Sequence, residues 1–143
     1  METKTCSTCK NEKDIYYFSR NKSKKDGYSH RCKQCRKSER FGFTAKILSV
    51  YRDMKSRTGN PSHPHYYYYQ NLLFITKEEF LQFSLNDRSY RILHRRWKAS
   101  GYNEDLRPSI DRIIPSEGYR LGNIRWVTIE ENYKFKKHKF KHE

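Results

Sequence analysis

The sequence predicts an α+β fold built from three consecutive segments. Two pairs of cysteines lie in the first quarter of the chain, apolar residues then recur at helical spacing, and near the C-terminus a hairpin pattern leads directly into a helix signal. We therefore expect a cysteine-bearing module over residues 1–37, a connecting helix over 38–60, and a small domain of helices and strands over 61–143. The chain has 143 residues, which is enough for small cores only.

The charge balance indicates a polyanionic partner. Lys and Arg number 31 against 16 Asp and Glu, so the net charge is +15. Neutralising phosphates is the commonest use of such an excess, and a merely soluble surface is the alternative. No apolar run approaches the roughly 20 residues of a membrane span, and the N-terminus lacks the apolar core of a signal peptide. We expect an intracellular protein with no membrane partner.

The four cysteines form two CxxC pairs, Cys6 with Cys9 and Cys32 with Cys35. Each pair can direct two thiolates at one ion, and together they supply the four sulfur ligands of a closed structural zinc site. Disulfides, a redox pair or unrelated free thiols are the alternatives. His30 lies close to the second pair, but four sulfurs already complete the shell. The spacing predicts a zinc ribbon over residues 1–37.

The segment after the ribbon carries one helical pattern. Phe41, Ala45 and Leu48 recur at three and four residues, and a stop signal precedes Pro61. We expect one amphipathic helix over residues 38–60. It acts either as a rigid connector or as a cover for the core of the C-terminal domain.

Four consecutive tyrosines, residues 66–69, follow a loop that contains two prolines. We expect this run to be a strand, with one pair of rings packed and the other facing solvent or nucleic acid. His63 and His65 flank Pro64 and offer imidazoles to a metal. Solvated loop histidines are more common, and these two are left without a role.

Two further helices are predicted before the hairpin. Thr76 begins a capping box, and a second helix starts near Asp87 and stops at Gly101. The basic side chains of the second helix, among them Arg95 and Arg96, form either a solvated face or phosphate contacts.

The C-terminal pattern predicts a hairpin followed by a helix. Pro108 permits a strand to start, the turn residues 115–118 reverse the chain, and 124–127 form the second strand. Thr128 then opens another capping box. This order brings Asp111 near Asn132, so that two hard oxygen ligands can hold one Mg²⁺ or Mn²⁺. The alternative is a surface ion pair between Asp111 and its neighbour Arg112.

The segment SIDRIIPSEGYRLGNIRWVTIEEN, from Ser109 to Asn132, resembles the ββα-metal motif of HNH endonucleases, in particular the phage and intron-encoded branch that includes homing endonucleases. The first 37 residues resemble the zinc ribbon that precedes many such phage enzymes, and the likeness extends over nearly the whole chain. The resemblance implies a metal-dependent endonuclease that hydrolyses phosphodiester bonds of double-stranded DNA, by nicking or by cleaving both strands. It also implies the cytoplasm of a phage-infected bacterium, and makes 61–143 the nuclease domain.

The resemblance also implies roles for four residues. Asp111 and Asn132 correspond to ligands of the Mg²⁺ or Mn²⁺, and Asn123 corresponds to an asparagine that braces the hairpin loop. Arg112 is a departure, because many members carry a histidine there as general base and a guanidinium cannot readily accept a proton. We expect Arg112 to clamp the scissile phosphate, with a metal-bound hydroxide or a distant histidine such as His94 starting the attack.

The chain ends in the basic sequence KFKKHKFKHE, either a frayed tail or a helix extension on the DNA backbone. Phosphate contacts are predicted for five basic residues: Arg95, Arg96, Arg125, Lys136 and Lys137. Two other functions stay open, a DNA-binding regulator without catalytic activity and a zinc-ribbon adaptor that grips RNA or a protein.

Overall fold

The structure is a computed structural model that describes residues 2–64, 66–69 and 71–139. It is a mixed α+β protein with small two-stranded antiparallel sheets, and it divides into two compact units, Met1–Lys46 and Ile47–Glu143. The predicted α+β class is confirmed. Within the described residues, no helix has both the length and the apolar character needed to cross a membrane.

The first unit contains two short antiparallel pairs and one helix. Strand β1 (Thr3–Thr5) pairs with β2 (Glu12–Asp14), and β3 (Phe18–Arg20) pairs with β4 (Tyr28–Cys32). Helix α1 (Lys33–Arg40) follows β4 directly.

The core of this first unit is very small. Phe18 is the one large ring that is fully enclosed among its described residues, and it packs with Cys6 and Cys32. A core of this size rarely stabilises a fold without a metal or a cross-link.

The connecting helix differs from its predicted bounds. Helix α2 is Phe43–Gly59, whereas residues 38–40 belong to α1. Phe41 ends α1 by donating its backbone N–H to Lys37 O at 2.8 Å, and Lys46 N donates to Gly42 O at 2.9 Å as α2 begins. The apolar spacing continues across this break, so periodicity alone cannot reveal it.

The second unit contains the rest of α2 and the following elements: α3 (Tyr66–Tyr69), α4 (Lys77–Leu85), α5 (Arg88–Ala99), β5 (Pro108–Arg112), β6 (Ile124–Thr128) and α6 (Ile129–Lys139). The predicted helix starts are confirmed by their caps. Thr76 Oγ1 accepts from Glu79 N at 3.2 Å, and Asp87 Oδ1 accepts from Tyr90 N at 2.7 Å.

The predicted strand at the tyrosine run is wrong, because α3 is a helical turn. Tyr66 N donates to His63 O at 3.0 Å, and Leu72 N donates to Tyr69 O at 3.2 Å. Tyr69 is buried and its ring stacks on Tyr119 with centroids 6.0 Å apart. Packing of this ring therefore overrides the preference of tyrosine for strands.

Aromatic rings fix the hairpin to helices α4 and α5. Trp126 on β6 lies 4.3 Å from the Tyr90 ring and 5.8 Å from the Phe80 ring. Its indole N–H donates to Ser84 Oγ at 3.1 Å, so the one polar atom of the buried ring is satisfied. Burial of each such ring stabilises the fold by about 1.5–3 kcal/mol.

Strands β5 and β6 form the predicted hairpin, with Asp111 opposite Arg125. Helix α6 follows β6 without a gap, and Thr128 Oγ1 accepts from Glu131 N at 3.1 Å as the predicted cap. Two strands and a helix thus occur in the expected order.

Candidate functional site

The four cysteines form a cluster in the first unit. Their sulfur atoms all lie within 4.8 Å of one another, a spacing that can hold a metal ion such as zinc. Cys6 and Cys32 are buried, while Cys9 and Cys35 are partly exposed. The predicted convergence of the two pairs is confirmed.

The surroundings of the cluster stabilise the thiolates of Cys6 and Cys32, whose pKa values are lowered by hydrogen bonds. Burial alone raises the pKa of the Cys6 thiol, but backbone N–H groups, including those of Cys32 and Thr8, lower its pKa to about 5. Lys13 Nζ lies 3.5 Å from Cys32 Sγ, and this hydrogen bond raises the pKa of Lys13. Hydrogen bonding to the Cys32 sulfur raises the pKa of Cys35 to about 12. Thiolates are the form that binds metal.

A second candidate site is a cavity of about 960 Å³ in the second unit, which we call the hairpin cavity. Its walls come from α2, the loop after it, α3, the hairpin and α6. Three of the four predicted catalytic residues, Asp111, Arg112 and Asn132, line it together. The volume lies within the usual range of ligand sites.

Asp111 is only 3% exposed, and its charge has a partner across the hairpin. Arg125 Nε donates to Asp111 Oδ2 at 2.9 Å, as their opposite positions in the two strands allow. Arg125 also lies over the Phe135 ring, with its guanidinium carbon 4.5 Å from the ring centroid. This cross-strand pair involves Arg125, whereas the alternative considered for the sequence was an ion pair with Arg112.

Asn132 is buried and has one unsatisfied atom. Its Nδ2 donates to Ser109 Oγ at 2.9 Å and to Ile110 O at 3.0 Å, which fixes the orientation of the amide. Its Oδ1 has no hydrogen-bond partner in the described part of the chain. An unsatisfied buried acceptor costs about 1–3 kcal/mol, so such an atom indicates an ion, a water molecule or a ligand.

Asn123 makes the bracing hydrogen bonds expected of it. Its Oδ1 accepts from Ile114 N at 2.8 Å, and its Nδ2 donates to Ile114 O at 2.9 Å and to Gly118 O at 2.7 Å. The side chain is 1% exposed and does not line the hairpin cavity. Its contacts therefore hold the loop between the strands.

Arg112 is fixed beside the cavity by three neighbours. Its Nη1 donates to Pro115 O at 2.7 Å. Its guanidinium carbon lies 4.4 Å from the Tyr69 ring centroid and 5.2 Å from that of Tyr119. Stacking and the hydrogen bond together hold the cation in one orientation.

The predicted DNA-contacting residues are divided between two places. Arg125 pairs with the buried Asp111, and Lys136 lines the hairpin cavity. Lys137 is exposed on α6, and Arg95 and Arg96 are exposed on α5 without lining the cavity.

His94, the histidine suggested as a distant base, lies elsewhere. It is buried on α5, with its ring 5.9 Å from those of Tyr90 and Trp97, and it does not line the hairpin cavity. Its contacts with these two aromatic rings account for its burial.

Four residues of the cavity were not predicted to lie at this site: Arg57, Tyr119, Tyr69 of the tyrosine run, and His63, which the sequence left without a role. Tyr119 is buried, and this burial raises the pKa of its phenol. The four come from four separate segments, α2, the loop after it, α3 and the loop of the hairpin, so no single local motif contains them. Only the Tyr-rich composition of residues 66–69 signals that rings collect here.

Comparison of the chain with protein-family models, with curated proteins and with solved structures finds no match.

Proposed function

We propose that the chain is a metal-dependent DNA endonuclease of the HNH type, which hydrolyses phosphodiester bonds of double-stranded DNA. The observation that carries the proposal is the convergence of Asp111, Arg112 and Asn132 on one cavity, with a buried Asn132 Oδ1 that lacks a partner in the described residues. Hydrolysis of a phosphodiester needs oxygen ligands for a metal ion and a cation held near the phosphate. Asp111 and the Asn132 amide oxygen are such ligands, and Arg112 is such a cation.

The residues present fit a divalent cation. Asp111 and Asn132 supply hard oxygen donors, as Mg²⁺ and Mn²⁺ prefer. A carboxylate has about four lone-pair sites, so Asp111 can retain Arg125 and still contact an ion. A cation held there would polarise the phosphate and lower the pKa of a coordinated water.

The protein's own cations would receive the DNA phosphate. Arg57, Arg112 and Lys136 line the same cavity, and Arg112 is already oriented by Pro115 O. Preorganised cations stabilise the charge that develops on phosphorus oxygens without reorganising during the reaction. Asn123 contributes by holding the loop that carries Pro115.

The cysteine cluster would hold one structural zinc ion through Cys6, Cys9, Cys32 and Cys35. In this proposal the ion stabilises the first unit, and the net charge of +15 attracts the DNA backbone.

Cleavage of plasmid DNA with Mg²⁺ or Mn²⁺ tests the proposal. Asp111→Ala and Asn132→Ala are expected to reduce cleavage by about 10²-fold or more, because each removes a donor aimed at the reacting centre. Binding of duplex DNA without added divalent cation is expected to persist in both variants.

Gln82→Ala, an exposed and uncharged change on α4 outside the cavity, is the control and is expected to cleave normally. A parent protein that binds DNA but never cleaves it would contradict nuclease activity. Equal loss of DNA binding in the two variants would assign them to structure.

A second function, DNA binding without cleavage, is favoured by one observation. Arg125 is ion-paired with Asp111, and Arg112 stands where the resemblance expects a histidine base, so the charge of the acid is already compensated and the usual base is missing from its position. The same cleavage assay separates the two functions, since a regulator would bind duplex DNA equally with and without Mg²⁺.

A further inference from the structure

His63 lines the hairpin cavity together with Asp111, Arg112 and Asn132. It lies in the loop between α2 and α3, and the backbone of this loop is held by hydrogen bonds. His63 N donates to Asn60 O at 2.9 Å, and Ser62 N donates to Asn60 Oδ1 at 3.0 Å. The imidazole is therefore carried by an ordered turn at the site.

Few groups around the cavity can accept a proton at neutral pH. Arginines cannot, and Lys136, whose pKa is lowered by burial, serves as a phosphate-binding cation in the proposed function. Burial raises the pKa of Tyr119, which keeps its phenol protonated. Asp111 accepts a hydrogen bond from Arg125, and in the proposed function it also binds the divalent cation. Among the described residues that line the cavity, His63 carries the one imidazole.

We propose that His63 is the general base of the nuclease reaction. It would take the role of the histidine that many HNH endonucleases carry at the position of Arg112. This rests on the function proposed above. A ring nitrogen of His63 takes a proton from water as the water oxygen forms a bond to phosphorus. The bond from phosphorus to the leaving sugar oxygen breaks, and that oxygen takes a proton from another water molecule. His63 then returns its proton to solvent.

The titratable and charged groups that share the cavity with His63 come from four segments: Arg57, Tyr69, Asp111, Arg112, Tyr119, Tyr133 and Lys136. Most of the charged residues among them are cations, so they would attract an anionic phosphodiester into the space between His63 and the hairpin. The base and the clamp would thus be separate residues, and neither has to do both tasks.

Cleavage rates measured against pH test the assignment. Parent, His63→Ala, His63→Gln, Ser62→Ala and Asp111→Ala proteins are compared on plasmid DNA with Mg²⁺ or Mn²⁺. His63→Ala and His63→Gln are expected to reduce the rate about 10²- to 10⁴-fold, the usual contribution of a general base. Ser62→Ala keeps the backbone bond to Asn60 and is expected to behave as the parent.

The pH profile separates a base from a structural residue. The dependence of the cleavage rate on pH is expected to differ between the parent and both His63 variants, because the variants lack the group that accepts the proton. Binding of duplex DNA without divalent cation and the unfolding midpoint are expected to stay unchanged.

Each contrary outcome has a distinct meaning. A parent without cleavage, or an Asp111→Ala protein that cleaves normally, overturns the proposed nuclease and the base with it. A cleaving parent with an inactive Asp111→Ala variant, but with His63→Ala unchanged in rate and pH profile, overturns the base alone. Loss of DNA binding or folding in both His63 variants makes His63 a structural residue and also overturns it.

Discussion

Arg112 makes structural contacts and is also the proposed clamp for the phosphate. Its Nη1 bonds to Pro115 O, and its guanidinium lies over Tyr69 and Tyr119. A hydrogen bond from a charged donor contributes about 1.5–3 kcal/mol. The side chain therefore supports the hairpin loop and is held ready for an anion at the same time.

Substitutions of Arg112 are expected to separate these two contributions. Arg112→Ala removes the clamp and should reduce cleavage by about 10²-fold or more. It should also lower the free energy of unfolding by about 1.5–3 kcal/mol. Arg112→Lys keeps the charge without the planar fork, so it should recover part of the DNA affinity and little of the stability. Cleavage assays and urea unfolding measure both effects, and an Arg112→Ala protein of normal activity would exclude a clamp.

At the scale of elements, the loop of the hairpin is joined to the segment before α4. Tyr119 N donates to Leu73 O at 2.9 Å, and Ile75 N donates to Tyr119 O at 2.6 Å. Gly118 makes this approach possible, because its φ is +72° and a Cβ there would lie 2.4 Å from Leu73 O. This backbone conformation is essentially restricted to glycine.

Gly118→Ala is expected to destabilise the second unit by at least about 1–3 kcal/mol, the cost of strained backbone, with the clash adding to it. Gly122→Ala is the matched control. Gly122 also has a positive φ, but the nearest atom to its added Cβ is Arg120 Nη1 at an ordinary 3.5 Å. Urea unfolding of both variants measures the difference, and equal losses would mean that the contact with Leu73 is unimportant.

The elements that could be predicted are those with local signals. The caps at Thr76 and Asp87 and the hairpin turn are each determined by residues a few positions apart, and the structure has them where expected. The break between α1 and α2 was missed because the apolar spacing continues across it, and the helical turn at the tyrosines was missed because packing of the Tyr69 ring on Tyr119 decides it. Convergence of the cysteines follows from their spacing, whereas the presence of His63 at the hairpin cavity depends on distant segments.

At the scale of the whole molecule, the two compact units have different sources of stability. The second unit has a core of closely packed aromatic rings around Trp126 and Tyr90. The first unit has Phe18 and the buried cysteines, which is too little apolar area to offset chain entropy without a cross-link. A metal at the cysteine cluster would supply the missing stabilisation.

Metal removal is expected to affect the two units differently. Metal analysis should find one zinc ion per chain, and Cys32→Ser should lose it, because one of the four thiolate ligands disappears. Serine can still cap α1, so the loss reports on the metal site and not on the start of the helix. Ser7→Ala, between the ligands Cys6 and Cys9, should keep its zinc. Hydrogen exchange should then show the amides of β3 and β4 exposed in Cys32→Ser, while those of β6 stay protected by the aromatic core.

A Cys32→Ser protein with parental zinc content would contradict the metal site. Exchange of β6 as fast as that of β4 would show that the second unit depends on the metal as well.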